Sequence, residues 1–298
     1  MKIKADWLDS LHKLKKRETD AIFAECPEKL FGSGLELGAG DGYQSKLISK
    51  YVVKLVSSDY SAKRLGIKAR GGENIIENGM EYTVCDAERP EESFDPGSFD
   101  FIFSSSLLEH LPHPGKALNG MGKIMKDDGI MIHCMPNSFW KLASFLMFYP
   151  NLIAEIVERI FTPGALAAIV RKRLKKAPSL LSVAKEFENN PKQMNSPERA
   201  GRYNWLWPTP HGAYKSHVKE LFAFTKRRWI KEFEIAGFDV VDIVRGPVVS
   251  GYGLGFDRVR KILENLGFSS GFAYISVKKG RLSPFSRFFG GGGEKTDT

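Results

Sequence analysis

The sequence predicts an α/β fold, a doubly wound and mainly parallel sheet with a helical insertion after its fifth strand. Three observations carry that prediction. Five short apolar segments alternate with polar, helix-like stretches between residues 31 and 138, the pattern of successive right-handed βαβ units. The first four of those segments run out in glycine, acidic or small polar residues, at the strand ends where an open α/β sheet keeps its ligand. Gly38, Gly40 and Gly42 alternate in "LELGAGDGYQ", where the backbone must bend sharply or approach something closely.

The elements follow in order. Residues 6 to about 25 carry Trp7, Leu8, Leu11, Leu14, Ala21 and Ile22 at a spacing that suits an amphipathic helix. "GLELGAG" reads as a buried strand and "YQSKLISKY" as the helix that opens after the glycines. "VVKLVSSD", "MEYTVCDA", "FDFIFSSS" and "GIMIHCMP" read as the second to fifth strands. Before the fifth lies a helix expected to end at Gly129. The alternation then breaks over residues 139–215, which are rich in aromatic, proline and basic residues. "KELFAFTKRRWIKEFEIAG" reads as one helix closed by Gly237. "FDVVDIVRG" and "GFAYISVKKG" are two further strands, joined by a short helix near Val259–Leu266. The expected organisation is an N-terminal helical segment (1–30), a ligand-binding core (31–138), an insertion (139–215), a C-terminal part of the core (216–280) and a disordered tail (281–298).

A chain of 298 residues, 42% hydrophobic and 27% charged, reads as a soluble globular protein. Cys26, Cys85 and Cys134 are far apart and lack metal-ligand spacing, so reduced thiols in a cytosolic setting are expected. The charged N-terminus has no apolar core of the kind a secretory signal needs. The formal charge is +9, and it is not spread evenly. Between Phe139 and Lys176, seven cations face only Glu155 and Glu158, a net of +5 in one short segment.

The strand ends carry the chemistry. Asp59 closes the second strand 21 positions after Gly38, where an acid can accept hydrogen bonds from ribose hydroxyls. Asp86 closes the third strand, and Ser104 to His110 follow the fourth. A dinucleotide fingerprint needs a third glycine where this chain has Tyr43. Asp41 inside the turn would repel a pyrophosphate and suit a cationic ligand. No Gly-Lys-Ser/Thr triplet follows, which excludes a Walker A loop. The pattern points to a nucleoside without phosphate.

"LELGAGDG", "SSDYS", "CDA" and "FDFIFSSSLLEHL" together resemble the successive motifs of class I S-adenosylmethionine-dependent methyltransferases, in the branch called type 11. The resemblance covers about Phe31 to Asn137 and resumes from about Phe224 to Lys279. It implies a Rossmann-like seven-stranded sheet whose last strand is antiparallel. S-adenosyl-L-methionine would be the cofactor and S-adenosyl-L-homocysteine the product. By this resemblance Glu36, Gly38, Ala39 and Gly40 would surround the methionine part. Asp59 would hold the ribose, with Tyr60 beside the adenine. Asp86 would accept from the adenine amino group, with Ala87 nearby. Ser104 and Ser105 would line the floor near the sulfonium, and His110 would lie close to the methyl-transfer face. Related quinone O-methyltransferases carry an acid three residues before the Glu-His pair and can bind a divalent metal there. This chain has Ser106 at that place, so no metal site is expected.

An oxygen nucleophile must lose a proton, for which a histidine is suited. His110 and His211 are the catalytic candidates. His133 sits inside a strand and reads as packed, and His113 as a turn or capping residue. His211 lies in "NWLWPTPHGAYKS", where Trp207 and Tyr214 are expected to meet the substrate with it. The "PHGAYKS" element also resembles type 11 enzymes associated with surface-glycan and lipid-linked sugar pathways. In the insertion, Tyr149, Leu152, Ile153, Ile156 and Ile160 fall at helical spacing. The longest charge-free run before Glu155 is 13 residues and contains Pro150, too short and broken for a membrane span. An interfacial helix followed by a basic cluster fits an anionic membrane surface, and a lid packed on the core is the alternative. The expected activity is O-methylation of a glycan, a lipid-linked sugar or another amphipathic acceptor, by a cytoplasmic and peripheral membrane protein. Its alternatives are methylation of a soluble aromatic or quinone-like metabolite, RNA methylation and a noncatalytic binding module. No RNA-binding module accompanies the basic cluster.

Overall fold

A computed structural model describes residues 7–65, 75–77, 80–161, 217–249 and 257–289 of the chain. Helix α1 (Trp7–Ile22) precedes strand β1 (Phe31–Leu37), which leads through the glycine turn into α2 (Tyr43–Ile48). Then follow β2 (Val52–Asp59), β3 (Ile75–Glu77), β4 (Met80–Val84), β5 (Phe99–Ser105), α3 (Pro114–Ile124) and β6 (Met125–Pro136). Helix α4 (Ser138–Phe161) begins the insertion. Beyond it come α5 (His217–Ala223), α6 (Lys226–Ile235), β7 (Phe238–Arg245), α7 (Asp257–Asn265) and β8 (Gly271–Lys278).

The strands form one sheet in the order β3-β4-β2-β1-β5-β6-β8-β7. Strands β4, β2, β1, β5 and β6 run parallel, and β8 is antiparallel to both β6 and β7. The seven expected strands are all present, with the last one reversed. The three-residue β3, antiparallel to β4, adds an eighth at the edge. β1 is central because both of its faces are apolar or small. Phe31, Leu35 and Leu37 are buried, and Gly34 leaves only 2.9 Å between an added Cβ and Val52 of β2. Phe31, Phe101, Phe103 and Ile132 form one core layer under α1, while Leu35, Ile102, Met121, Trp229 and Phe233 form the other under α3 and α6.

The register sets the site. Leu37 stands level with Ser58 of β2 and Ser104 of β5, and Ser104 in turn with His133 of β6. The carboxyl ends of three neighbouring strands therefore finish in one row.

Four local expectations are corrected. The helix before the fifth strand ends at Ile124, not Gly129. Met125 is already buried in β6, and a Cβ at Gly129 would stand 2.6 Å from its Cγ, so Gly129 serves a close approach within the strand. The "YQSKLISKY" helix is only six residues long. The helix drawn through residues 219–237 is two: Phe224 turns fully into the core and Thr225 is extended (φ −73°, ψ 143°) before α6 starts. The disordered tail expected from 281 does not begin there. Phe289 is buried, Phe285 and Phe288 pack on the same core, and Ser283 Oγ donates to Asp128 O at 2.7 Å.

Candidate active site

The glycine turn is held from below by β2. Gly38 N and Ala39 N donate to Ser58 O at 2.8 and 2.9 Å, and Gly40 N donates to Asp59 Oδ2 at 3.1 Å. Gly38, Gly40 and Gly42 have φ of 77°, 60° and 73°, a left-handed conformation that side chains resist. A Cβ at Gly38 would meet Leu107 at 3.0 Å, whereas one at Gly40 would meet nothing within 4 Å. The turn is thus closed on its Leu107 side and open at its tip.

Asp59 is buried. Its second oxygen accepts Ser61 N at 2.9 Å, so it ties the turn of β1 to the loop after β2. Tyr60 beside it is 80% exposed. Asp86 is exposed and accepts Glu88 N at 2.9 Å, and Ala87 next to it is buried. Ser104 is buried and hydrogen-bonded to His133 Nδ1 at 2.8 Å. His133, the residue read as packed, stacks on Phe233, and burial pushes its pKa down to about 3. His113 stands at the N-cap position of α3 without a side-chain cap. His110 remains open to solvent. Partial burial and the nearby Arg64 guanidinium lower its pKa, which leaves the ring neutral near pH 7. The structure thus brings Glu36, the glycine turn, Asp59, Ser104, Ser105 and His110 to one edge of the sheet. Trp207, His211, Tyr214 and the basic cluster of residues 171–176 lie outside the described residues.

Two further carboxyls at this edge are buried and raised by that burial. Glu36 is buried in β1 and accepts hydrogen bonds from Ser45 Oγ and, at 3.4 Å, from Ser57 Oγ; burial raises its pKa to about 7. Glu109, in the turn after β5, is buried with neither oxygen hydrogen-bonded among the described residues. Burial raises it to about 8.

Sequence reasoning missed the contribution of α1. Its polar face reaches across the glycine turn and the end of β5. His12 Nε2 donates to Asp41 Oδ2 at 2.7 Å and stacks on Tyr43 with ring centroids 3.9 Å apart. Asp41, read as a neighbour for a cationic ligand, is therefore engaged by the chain's own histidine. Burial raises the Asp41 pKa, but the bonds from His12 and Tyr43 N outweigh it and leave it lowered. Lys15 Nζ donates to Ser105 Oγ, lies 3.5 Å from Ser106 Oγ and pairs with Glu18 Oε2 at 3.3 Å. Glu18 Oε2 also accepts Ser105 Oγ at 2.8 Å and Gln44 Nε2 at 3.2 Å. The only signal in the sequence was the spacing of His12, Lys15, Glu18 and Thr19 along one helix face.

Past β6 the edge changes character. α4 leaves β6 directly, and Leu142, Leu146, Tyr149 and Ile153 form an exposed stripe at helical spacing. Its base is fixed by Lys141, whose ammonium lies 2.6 Å from Glu220 of α5; both side chains are buried. No helix among the described residues is long and apolar enough to cross a membrane.

A family model described as a methyltransferase domain matches residues 7–243 of the chain. The ubiquinone biosynthesis O-methyltransferase of Burkholderia vietnamiensis is 26% identical over 146 residues, covering 46% of this chain and 61% of that protein. The enzyme of the same name from an Azoarcus species is 24% identical over 152 residues, covering 50% and 63%. The chain thus spans about six-tenths of the length of these curated relatives. Among solved structures, a S-adenosylmethionine-dependent methyltransferase of Thermotoga maritima superposes with a TM-score of 0.46 at 17% identity, over 92% of this chain and 93% of that one.

Proposed function

We propose, for a chain that belongs to the S-adenosylmethionine-dependent methyltransferase-domain family, that it methylates an oxygen atom of an amphipathic acceptor such as a glycan or lipid-linked sugar at the cytosolic face of a membrane. The observation that supports this acceptor is the exposed stripe Leu142, Leu146, Tyr149 and Ile153, which leaves the sheet beside the site. A stripe of this kind suits contact with a lipid surface. A second reading, a soluble quinone-like acceptor, is favoured by the curated relatives, which are named for ubiquinone biosynthesis.

The residues present fit S-adenosylmethionine. The open space at the tip of the glycine turn admits a ligand against the backbone of Gly40, and the exposed ring of Tyr60 offers a flat apolar face. Glu36, Gly38, Ala39 and Gly40 would hold the methionine part. Asp59 would hold the ribose hydroxyls, and Tyr60, Asp86 and Ala87 the adenine. Bound there, the sulfonium supplies an electrophilic methyl group.

The protein's part is then mainly placement. In-line displacement gains on the order of 7–11 kcal/mol from holding two reactants in register. Ser104, its hydroxyl fixed by His133, and Ser105 form the floor where the methyl group would sit. His110 is neutral and solvent-facing, so it can take the acceptor's proton and pass it to water. Trp207, His211 and Tyr214 are proposed on the acceptor side, with His211 as the other candidate base.

Calorimetry with S-adenosylmethionine and flotation on anionic vesicles test the two halves. Micromolar-range binding together with flotation is expected. Binding without flotation would favour the soluble acceptor, and no binding would remove the cofactor assignment.

A further inference from the structure

We infer that Lys15 is an acceptor-binding group that selects an ionisable oxygen, such as a phenol or enol, over the neutral alcohol of a sugar. The inference rests on the methyltransferase reading above and, of the two acceptors considered there, favours the quinone-like one over the sugar.

The geometry carries it. Lys15 arrives on α1, outside the strand-end motifs, yet its Nζ bonds Ser105 Oγ at the tip of β5 and lies 3.5 Å from Ser106 Oγ. Ser105 is on the floor proposed for methyl delivery. Ser106, the next residue, is exposed to solvent and strained into the left-handed region (φ 54°). The Lys15 side chain is only 15% exposed. Holding an ammonium out of water is costly unless anions compensate it. The groups that face it are Glu18 on α1, Glu36 on β1, Glu109 after β5 and the thiol of Cys134 on β6. Among the described residues Glu18 is the one carboxylate in direct contact with it, and its contacting oxygen is shared with Ser105 and Gln44. Near neutrality Glu109, raised to about 8, mostly keeps its proton, Glu36, raised to about 7, is about half-ionised, and the Cys134 thiol is raised well above its ordinary value, so these three offset only part of the ammonium's charge.

An ammonium so placed favours the ionised form of an oxygen that lands on it. The acceptor's O–H then gives its proton to His110 or water before the methyl group moves, and Lys15 keeps its own. A sugar alcohol ionises far too weakly to gain from this. A phenol or enol gains directly.

The test uses the intact chain loaded with S-adenosylhomocysteine and a nitrocatechol, whose yellow phenolate band reports ionisation without turnover. The bound probe is expected to ionise about one pH unit below the free probe. Lys15→Met should abolish that shift and weaken probe binding about tenfold while S-adenosylhomocysteine binding stays within about twofold. Lys15→Arg should keep most of the shift. Glu18→Gln should enlarge it, an outcome that a purely anchoring role for Lys15 would not produce. Thermal melts of each variant show whether α1 remains seated. Three outcomes overturn the inference while the methyltransferase reading stands. The wild-type protein binds S-adenosylmethionine but not the probe, Lys15→Met loses cofactor and keeps the probe, or a methyl glycoside binds as well as the nitrocatechol. Failure of the intact chain to bind S-adenosylmethionine at all would instead overturn the functional reading itself, and this inference with it.

Discussion

The two ends of the carboxyl edge solve opposite problems. On the α1 side, charged groups are drawn inward and bonded to one another across the glycine turn: His12 to Asp41, Lys15 to Glu18 and Ser105, Glu18 to Gln44. On the α4 side the ion pair of Lys141 with Glu220 is sunk at the base, with His217 Nδ1 3.9 Å from the same carboxylate, and the helix above shows apolar side chains to solvent. A site that binds a charged nucleoside and, as proposed, an amphipathic acceptor would use both surfaces. The difference teaches that the polarity flanking the site is set by helix, while the strand ends between supply the floor and the acids beside the glycine turn.

The comparison breaks most visibly at Lys141. Replacing it by Met leaves the buried Glu220 carboxylate without its ammonium and is expected to destabilise the fold by about 3–5 kcal/mol in urea denaturation. If stability hardly moves, the α4 base is not held by charge. Next in size, Asp59→Ala removes the acceptor of Gly40 N and Ser61 N as well as the proposed ribose contact. Calorimetry should show S-adenosylmethionine affinity falling by roughly tenfold to a hundredfold, about 1.4–2.8 kcal/mol.

A smaller effect concerns pH. Glu109 is raised to about 8 in the folded chain, above its value in an unfolded one, so the folded state binds more protons between the two values. Stability is therefore greatest at low pH within that window and declines as pH rises towards 8. Glu109→Gln should flatten that decline and raise the ligand-free melting temperature at pH 8 by about 3 °C. An unchanged pH–stability profile would show that Glu109 finds a partner in solution. The gentlest variant sharpens the other side. Leu146→Ser with Ile153→Ser, both exposed, should change stability by no more than about 0.5 kcal/mol each yet abolish vesicle flotation.

Much of the strand-end chemistry was legible because it is local. The glycines, Asp59, Asp86 and Ser104 each follow an apolar run, and the run fixes their place at the sheet edge. Lys15 and Glu18 were illegible for the converse reason. A polar helix face reads the same in sequence whether it meets water or a neighbouring strand end, and the docking of α1 depends on contacts made far along the chain. Glu109 lay in plain view between Leu108 and His110, but that its oxygens find no hydrogen bond among the described residues, with His110 Nε2 4.0 Å away, follows from packing alone. The break at Phe224–Thr225 escaped because both residues are tolerated in a helix and only the core's demand for Phe224 decides. The packed segment 281–289 escaped because its short, polar-interrupted apolar residues gain value only from the layer they join.

That last contact bears on how the chain is made. Phe23 at the foot of α1 meets Phe289 with ring centroids 6.3 Å apart, Phe31 of β1 meets Phe285 at 4.9 Å, and Arg17 grips Glu264 of α7 at 2.7 Å. During synthesis, α1 and β1 gain these contacts only once residues 285–289 have emerged. The sheet's central strands can pair long before then, but the seating of the helix that brings Lys15 and Glu18 to their tips waits on partners far along the sequence.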